Sequence, residues 1–138
     1  MILSFMDINW LATALATVAY FILGGLWFSP FVFGKYWESA IGFDRPDNWK
    51  ETSVYYIGPF LGCLIASVAV ALLMRAIGIH SMTGAITLGL VTGLGFSTSV
   101  SFVNAITPKM QKPLLYGLIT GMYHLLGITI VSVIIYSI

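Results

Sequence analysis

Charge is what this sequence has least of. Six of its 138 residues are Lys or Arg and five are Asp or Glu, 8% in all, where a soluble domain carries roughly a quarter. So few charged side chains cannot cover a soluble globule. Disorder is excluded as well, because 59% of the residues are hydrophobic and disordered chains lack apolar material to bury. A formal net charge of +1 makes no field that would gather nucleic acid. The single cysteine, Cys63, cannot form an intramolecular disulfide and implies no oxidising compartment. Inside a hydrophobic run it reads as a small packing residue. Metal-ligand clusters, nucleophile triads, phosphate loops and dinucleotide motifs are missing too. No metal or cofactor is therefore expected, and a conventional enzyme is not. A bis-His haem fails on depth, since His80 falls in a loop and His124 within a hydrophobic run.

What the sequence has is long apolar stretches, with a mean hydropathy of +0.96. Residues 8–28, 52–74, 81–108 and 113–138 contain no Asp, Glu, Lys or Arg. About 20 apolar residues cross a hydrocarbon core of roughly 30 Å as a helix. Period-two alternation is absent, so barrel strands are excluded. The expected fold is an all-α membrane protein, a single transmembrane domain over residues 1–138. Four transmembrane helices fall at about 8–28, 52–74, 81–107 and 113–136, with a short interfacial helix in the segment 29–47. Asp7 is the only charge ahead of the first span. There is no basic region of a signal peptide, and Ala12-Thr13-Ala14 comes too early for cleavage, so the first span is read as retained.

Local signals mark the boundaries. Ser29 is expected to cap the interfacial helix with Pro30 at its first position, and Gly42 to stop it. That segment sets Phe33, Tyr36, Trp37 and Ala40 against Lys35, Glu38 and Ser39, an amphipathic pattern suited to a membrane surface. Asn48 and Glu51 read as a capping pair for the second span, Gly58-Pro59 as a kink, Ser81 as the cap of the third, and Pro113 as the start of the fourth. Trp10, Trp27, Trp37 and Trp49 lie near boundaries, as an aromatic belt requires, and Arg75 is expected to snorkel at the outer interface. Lys35, Arg45, Lys50, Lys109 and Lys112 share the loops after spans one and three, against Arg75 on the other side. The positive-inside rule then puts those loops in the cytoplasm and both termini outside, in the inner (cytoplasmic) membrane.

Small residues recur at every fourth position: Ala12 and Ala16, then Gly58, Gly62 and Ala66, then Gly117 and Gly121. Span three carries the longest row, Ala85, Gly89, Gly93, Ser97 and Ser101. In lipid such rows let helices approach closely. The row on span three serves either packing within the bundle or a seam between copies of the chain. No acidic residue lies in any span, so the intramembrane carboxylate of a proton-coupled exporter is missing. His124, eleven positions past Pro113, sits about 17 Å along its helix, level with Ser97, Cys63 and Tyr20. Either it joins two helices by bonding Ser97, Thr98, Ser101 or a neighbouring Tyr, or it is a proton or ligand site. Asn104 near the end of span three reads as a backbone or interhelical partner.

The run Trp27-Phe28-Ser29-Pro30-Phe31-Val32-Phe33-Gly34-Lys35-Tyr36-Trp37 resembles the signature Trp-[Tyr/Phe]-Ser-Pro-x-x-Phe-Gly-Lys-x-Trp. That signature marks a bacterial membrane family catalogued as domain of unknown function 1761. Asp7-Ile8-Asn9-Trp10, Gly95-Phe96 with Asn104, and Tyr123-His124-Leu125 are similar to its other conserved stretches, although Met122 stands where the last is usually preceded by glycine. The resemblance implies four helices in a bacterial membrane and no established activity. It makes Trp27, Ser29, Pro30, Gly34, Lys35 and Trp37 a second candidate site, beside the reading of a helix stop followed by an interfacial anchor.

Three functions follow as expectations. The first is a non-enzymatic membrane protein that acts by helix-helix association, as a homo-oligomer or a small accessory subunit of a membrane complex. The second is a small channel or transporter with a polar path near His124, Ser97, Ser101 and Asn104. The third is a lipid-binding or lipid-modifying role in which Lys35, Trp37 and Arg75 meet head groups. Membrane lipids and further membrane subunits are the expected partners, and nucleic acid is not.

Overall fold

A computed structural model describes residues 5–138. Among them the chain is helical, without a strand. A 3-10 turn, Phe5–Asp7, leads into α1 (Trp10–Trp27), α2 (Gly34–Ile41) and α3 (Val54–Ile77). Then come α4 (Met82–Thr92), a π-helical stretch (Gly93–Thr98), α5 (Ser99–Ala105) and α6 (Pro113–Ser137). α1, α3, the unbroken segment Met82–Ala105 and α6 are each long and apolar enough to cross a membrane. The protein is a multi-pass membrane protein with the shorter α2 between its first two spans.

The caps are partly those the sequence predicts. Ser81 Oγ accepts from Gly84 N at 3.0 Å, Pro113 opens α6, and Gly42 ends α2 with φ 72°. Asn9 caps α1, its Oδ1 accepting from Ala12 N at 3.1 Å. Two expectations are corrected. Ser29 does not cap α2: its hydroxyl donates back to Leu26 O at 2.7 Å, and α2 begins only at Gly34. Between the helices Phe33 N bonds Trp27 O at 3.0 Å and Gly34 N bonds Ser29 O at 2.9 Å, so Pro30 lies inside a backbone-closed turn. Nor do Asn48 and Glu51 cap α3, which starts at Val54 after an Ser53 that makes no side-chain cap. Glu51 is instead engaged by Arg45 and by the Tyr56 hydroxyl. The Tyr56 bond first, and Arg45 second, hold its carboxyl below the usual carboxylate range.

The loops at this end meet. Lys112 N donates to Ala40 O at 3.0 Å and Lys112 Nζ to Ser39 Oγ at 2.7 Å, tying the start of α6 to α2. α6 is the central helix, packing against all five other α-helices and the π stretch. α1 buries Ala12, Thr13, Ala16, Thr17 and Tyr20 on one stripe. α3 joins the core only from Cys63 onward; residues 54–62 are all exposed, with Phe60 packing edge-on against Phe21 of α1 at 5.5 Å.

The long row of small residues on the third span faces α6, so it is used within the bundle. A side chain on Gly89 would meet Thr129 Cα at 2.5 Å, and one on Gly93 would meet Leu125 Cα at 3.0 Å. Ala85 is fully buried, and its carbonyl accepts from Ser132 Oγ at 2.6 Å. The fourth span answers in kind: a side chain on Gly117 would enter the Phe102 ring, and one on Gly121 would meet Thr98 Cγ2 at 2.7 Å. The row does not run unbroken to Ser97. The π turn adds a residue, so Thr98 takes the buried position that spacing by four assigns to Ser97, which is only half-buried.

Adding one methyl at this contact tests the fold. Gly89→Ala is expected to destabilise the protein by about 1–3 kcal/mol through overpacking, although Ala is the better helix former. Gly25→Ala, with nothing within 4 Å of the added carbon, is expected to be neutral or stabilising. Thermal melting of both variants in detergent, compared with the parent, measures the difference.

Candidate functional site

The bulge has a second effect on the third span. With Thr98 turned inward, where its Oγ1 donates to Gly121 O at 2.9 Å, Ser97 turns towards the flank. There a groove of about 380 Å³ runs between the third and fourth spans, lined by Phe96, Ser97, Val100, Ser101, Asn104, Tyr116, Thr120 and His124. A π turn also leaves carbonyls without their regular amide partners. Ser99 Oγ adds a bond at this turn, donating to Gly95 O at 2.6 Å and lying 3.0 Å from Phe96 O.

All four polar residues expected to form a path, His124, Ser97, Ser101 and Asn104, therefore line one groove. Tyr116, Thr120 and His124 follow at every fourth position on α6, so they share a face and extend about 12 Å along the axis. The mouth, at Asn104 and Tyr116, lies next to the loop bearing Lys109 and Lys112. The other end is His124 in mid-span, and no lining residue lies further along α6. The groove carries no Asp, Glu, Lys or Arg. No group of three or more His, Cys, Asp or Glu able to hold a metal occurs among the described residues.

Aromatic rings pack around His124 at the inner end. Tyr20 OH lies 2.5 Å from His124 Nδ1, which makes a tyrosine, and not Ser97, Thr98 or Ser101, the interhelical partner. Ser101 Oγ is turned to Ser97 O at 2.8 Å. With the phenol donating, Nδ1 is the acceptor of a neutral imidazole and its proton resides on Nε2. The Tyr20 ring fills the space over Gly127, where a side-chain carbon would fall 2.0 Å from Tyr20 Cε2. Beside it Tyr123 packs at 5.2 Å on both Tyr20 and Phe28, with its hydroxyl 3.5 Å from Cys63 Sγ and from Tyr20 O. Thr120 Oγ1, in the groove wall, is buried without a hydrogen-bond partner.

The second candidate cluster does not join this groove. Trp27 Nε1 donates to Ile119 O at 3.0 Å, so Trp27 is an interhelical clamp as well as a boundary residue. Its ring packs on Phe33 at 4.6 Å, and Trp37 packs on Phe28 at 5.6 Å. Gly34 is required by closeness, since a side-chain carbon there would come within 2.3 Å of Phe28 O. Ser29 and Gly34 thus form the turn, Pro30 lies exposed within it, and the paired rings brace it. Lys35 is exposed and lines a separate surface pocket with Glu38, Arg45 and Gln111. Spacing alone did not reveal Tyr123 or Gly127 as parts of the site; Gly127 had a readable signal in its place four beyond Tyr123 and three beyond His124.

Comparison with known proteins gives one match. The family model described as "Protein of unknown function (DUF1761)" covers residues 11–136. No curated protein and no solved structure matches the chain.

Tyr20→Phe keeps the ring over Gly127 and removes only the bond to His124. It is expected to lower stability by about 0.6–1.7 kcal/mol, the range of interhelical hydrogen bonds in membranes. It should also release the imidazole from its single tautomer. Nitrogen-15 spectra of the His124 ring check this: the parent should show one protonated ring nitrogen, Nε2, and the variant a mixture of tautomers.

Proposed function

This chain belongs to the DUF1761 family of proteins of unknown function, and we propose that it is a non-enzymatic carrier or small transporter that takes a ligand into the groove ending at His124. The observation that carries this reading is the convergence of Ser97, Ser101, Asn104, Tyr116, Thr120 and His124 from two spans on one groove. Polar groups at membrane depth are costly unless they are paired or serve a pathway. Because the polar lining stops at His124 in mid-span, we read a single chain as a binding site and not an open pore.

The proposed location is the inner membrane, with both termini outside and the groove mouth facing the cytoplasm. The support is the clustering of Lys35, Arg45, Lys50, Lys109 and Lys112 in two loops, which Lys112 joins through Ala40 and Ser39. Single cysteines at Asn104, Thr120 and Ser97 in a Cys63→Ser background test groove and orientation together. In inverted membrane vesicles a small maleimide should modify all three, fastest at 104 and slowest at 97. An impermeant reagent added to intact cells should leave Lys109→Cys untouched. Unreactive cysteines at both 97 and 120 would remove the groove reading, and labelling of residue 109 from outside would reverse the orientation.

A second reading, association through α3, is favoured by Gly58 and Gly62. These lie four apart on the part of α3 that leaves the bundle, and nothing comes within 4 Å of a side-chain carbon added at either. They are the free small-residue row that the third span does not provide, suited to close approach by a helix of a second copy or another subunit. Gly62→Cys in the Cys63→Ser background should give disulfide-linked dimers in native membranes under mild oxidation. Exclusively monomeric protein, with no link to any other chain, would count against this.

A further inference from the structure

We propose that the ligand of this groove is a neutral, bilayer-dissolved amphiphile whose head presents a carbonyl oxygen to His124 Nε2, the chemistry of an alkyl-substituted quinone. The inference rests on the groove reading above and names the class of molecule that enters.

The donor set chooses the head group. With the Tyr20 phenol as donor across the 2.5 Å contact to His124 Nδ1, the proton of the neutral ring resides on Nε2, and the ring offers the groove an N–H. One turn away along α6, Thr120 Oγ1 is buried without a partner, an unused hydroxyl in the same wall. Tyr116 and Asn104 add a phenol and an amide towards the mouth. Ser101 has its proton on Ser97 O and can only accept. At the inner end the His124 N–H and the Thr120 hydroxyl lack an acceptor, while Ser97, Tyr116 and Asn104 towards the mouth can donate or accept. Thr120 Oγ1 is buried without a partner, a costly state for a hydroxyl, which a carbonyl oxygen reaching it relieves.

Charge and access choose the rest. With no Lys, Arg, Asp or Glu in the lining, neither an anionic head group nor a metal cation finds a counter-charge, and desolvating one here is prohibitive. Phe96 and Val100 form an apolar wall, 67% and 55% exposed, so the groove is open along the lipid-facing flank, where a hydrocarbon tail can remain in the bilayer. Its volume of about 380 Å³ lies within the range of small-ligand sites, about 300–1,000 Å³.

Decylubiquinone, offered to the full chain in nanodiscs and measured by equilibrium partition against empty nanodiscs, tests the assignment. Saturable binding is expected, weakened about tenfold by His124→Leu, the worth of one hydrogen bond, and largely restored in His124→Gln, which keeps an N–H donor. Decylbenzene, with a tail and a ring but no acceptor oxygen, should only partition. Melting curves establish that each variant folds, and Thr120→Ala offers a milder second probe on the same groove, with an expected loss of a few-fold. Binding no stronger than partition into empty nanodiscs, binding unaffected by both His124→Leu and Thr120→Ala, or equal saturable binding of decylbenzene would overturn the assignment. Failure here with cysteines at 97 and 120 still reactive leaves the groove reading standing; unreactive cysteines remove both.

Discussion

The close approach of the third and fourth spans is the contact on which the rest of the molecule depends. In lipid there is little hydrophobic force between helices, and association comes from dispersion and hydrogen bonds that act only at short range. Gly89 and Gly93 bring their backbone against Thr129 and Leu125, and Gly117 and Gly121 admit Phe102 and Thr98 in return. At that separation a hydroxyl can reach a neighbouring helix's carbonyl, as Thr98 does at Gly121 and Ser132 at Ala85. The π turn at Gly93–Thr98 lies in the middle of this seam. It keeps Thr98 in the contact and frees Ser97 for the flank, so one irregularity serves both the packing and the groove.

Without water, each polar side chain must find a partner in the protein, and most find it one turn back. Thr13, Thr17, Thr92, Ser101, Thr129 and Ser137 all donate to carbonyls four residues earlier, which quenches a hydroxyl at no cost to the bundle. The abundance of Ser and Thr in these spans is therefore no sign of a polar path. Where this local solution is not used is more telling. Thr120 is such a place, Ser67 another, and His124 cannot bond its own helix in this way. Two of these three line the same groove.

Much of the fold was legible in the sequence because one variable, charge, controls it. Runs free of Asp, Glu, Lys and Arg mark four spans, and the interruptions mark their ends to within a few residues. The errors came where backbone geometry outweighs side-chain chemistry. Ser29-Pro30 has the composition of a helix start, yet backbone bonds from Phe33 and Gly34 close a turn there first. Asn48 and Glu51 have capping spacing, but Arg45 and Tyr56 compete for Glu51 and win because charge-assisted bonds are stronger. The polar members of the site were readable from depth, since His124, Ser97 and Tyr20 fall at one level. Their surroundings were readable only in part, because a π turn leaves no reliable mark in a sequence, and it exchanges Ser97 for Thr98 in the buried row while Ser101 and Ala105 keep their places in it.

The closed end of the groove shows why the aromatic residues belong with the polar ones. Tyr20 could pair with His124 from many ring positions if the space over α6 were filled by a side chain. Gly127 removes that side chain, and the ring settles against backbone with its hydroxyl on Nδ1. Tyr123 and Phe28 pack behind it, beside the core of Val70, Met74, Leu88, Ile128 and Val131. With the phenol donating, the imidazole is held in one tautomer at the inner end of the groove. The rings that orient the histidine also pack around it, so its fixed orientation and the end of the polar lining in mid-span belong to a single arrangement.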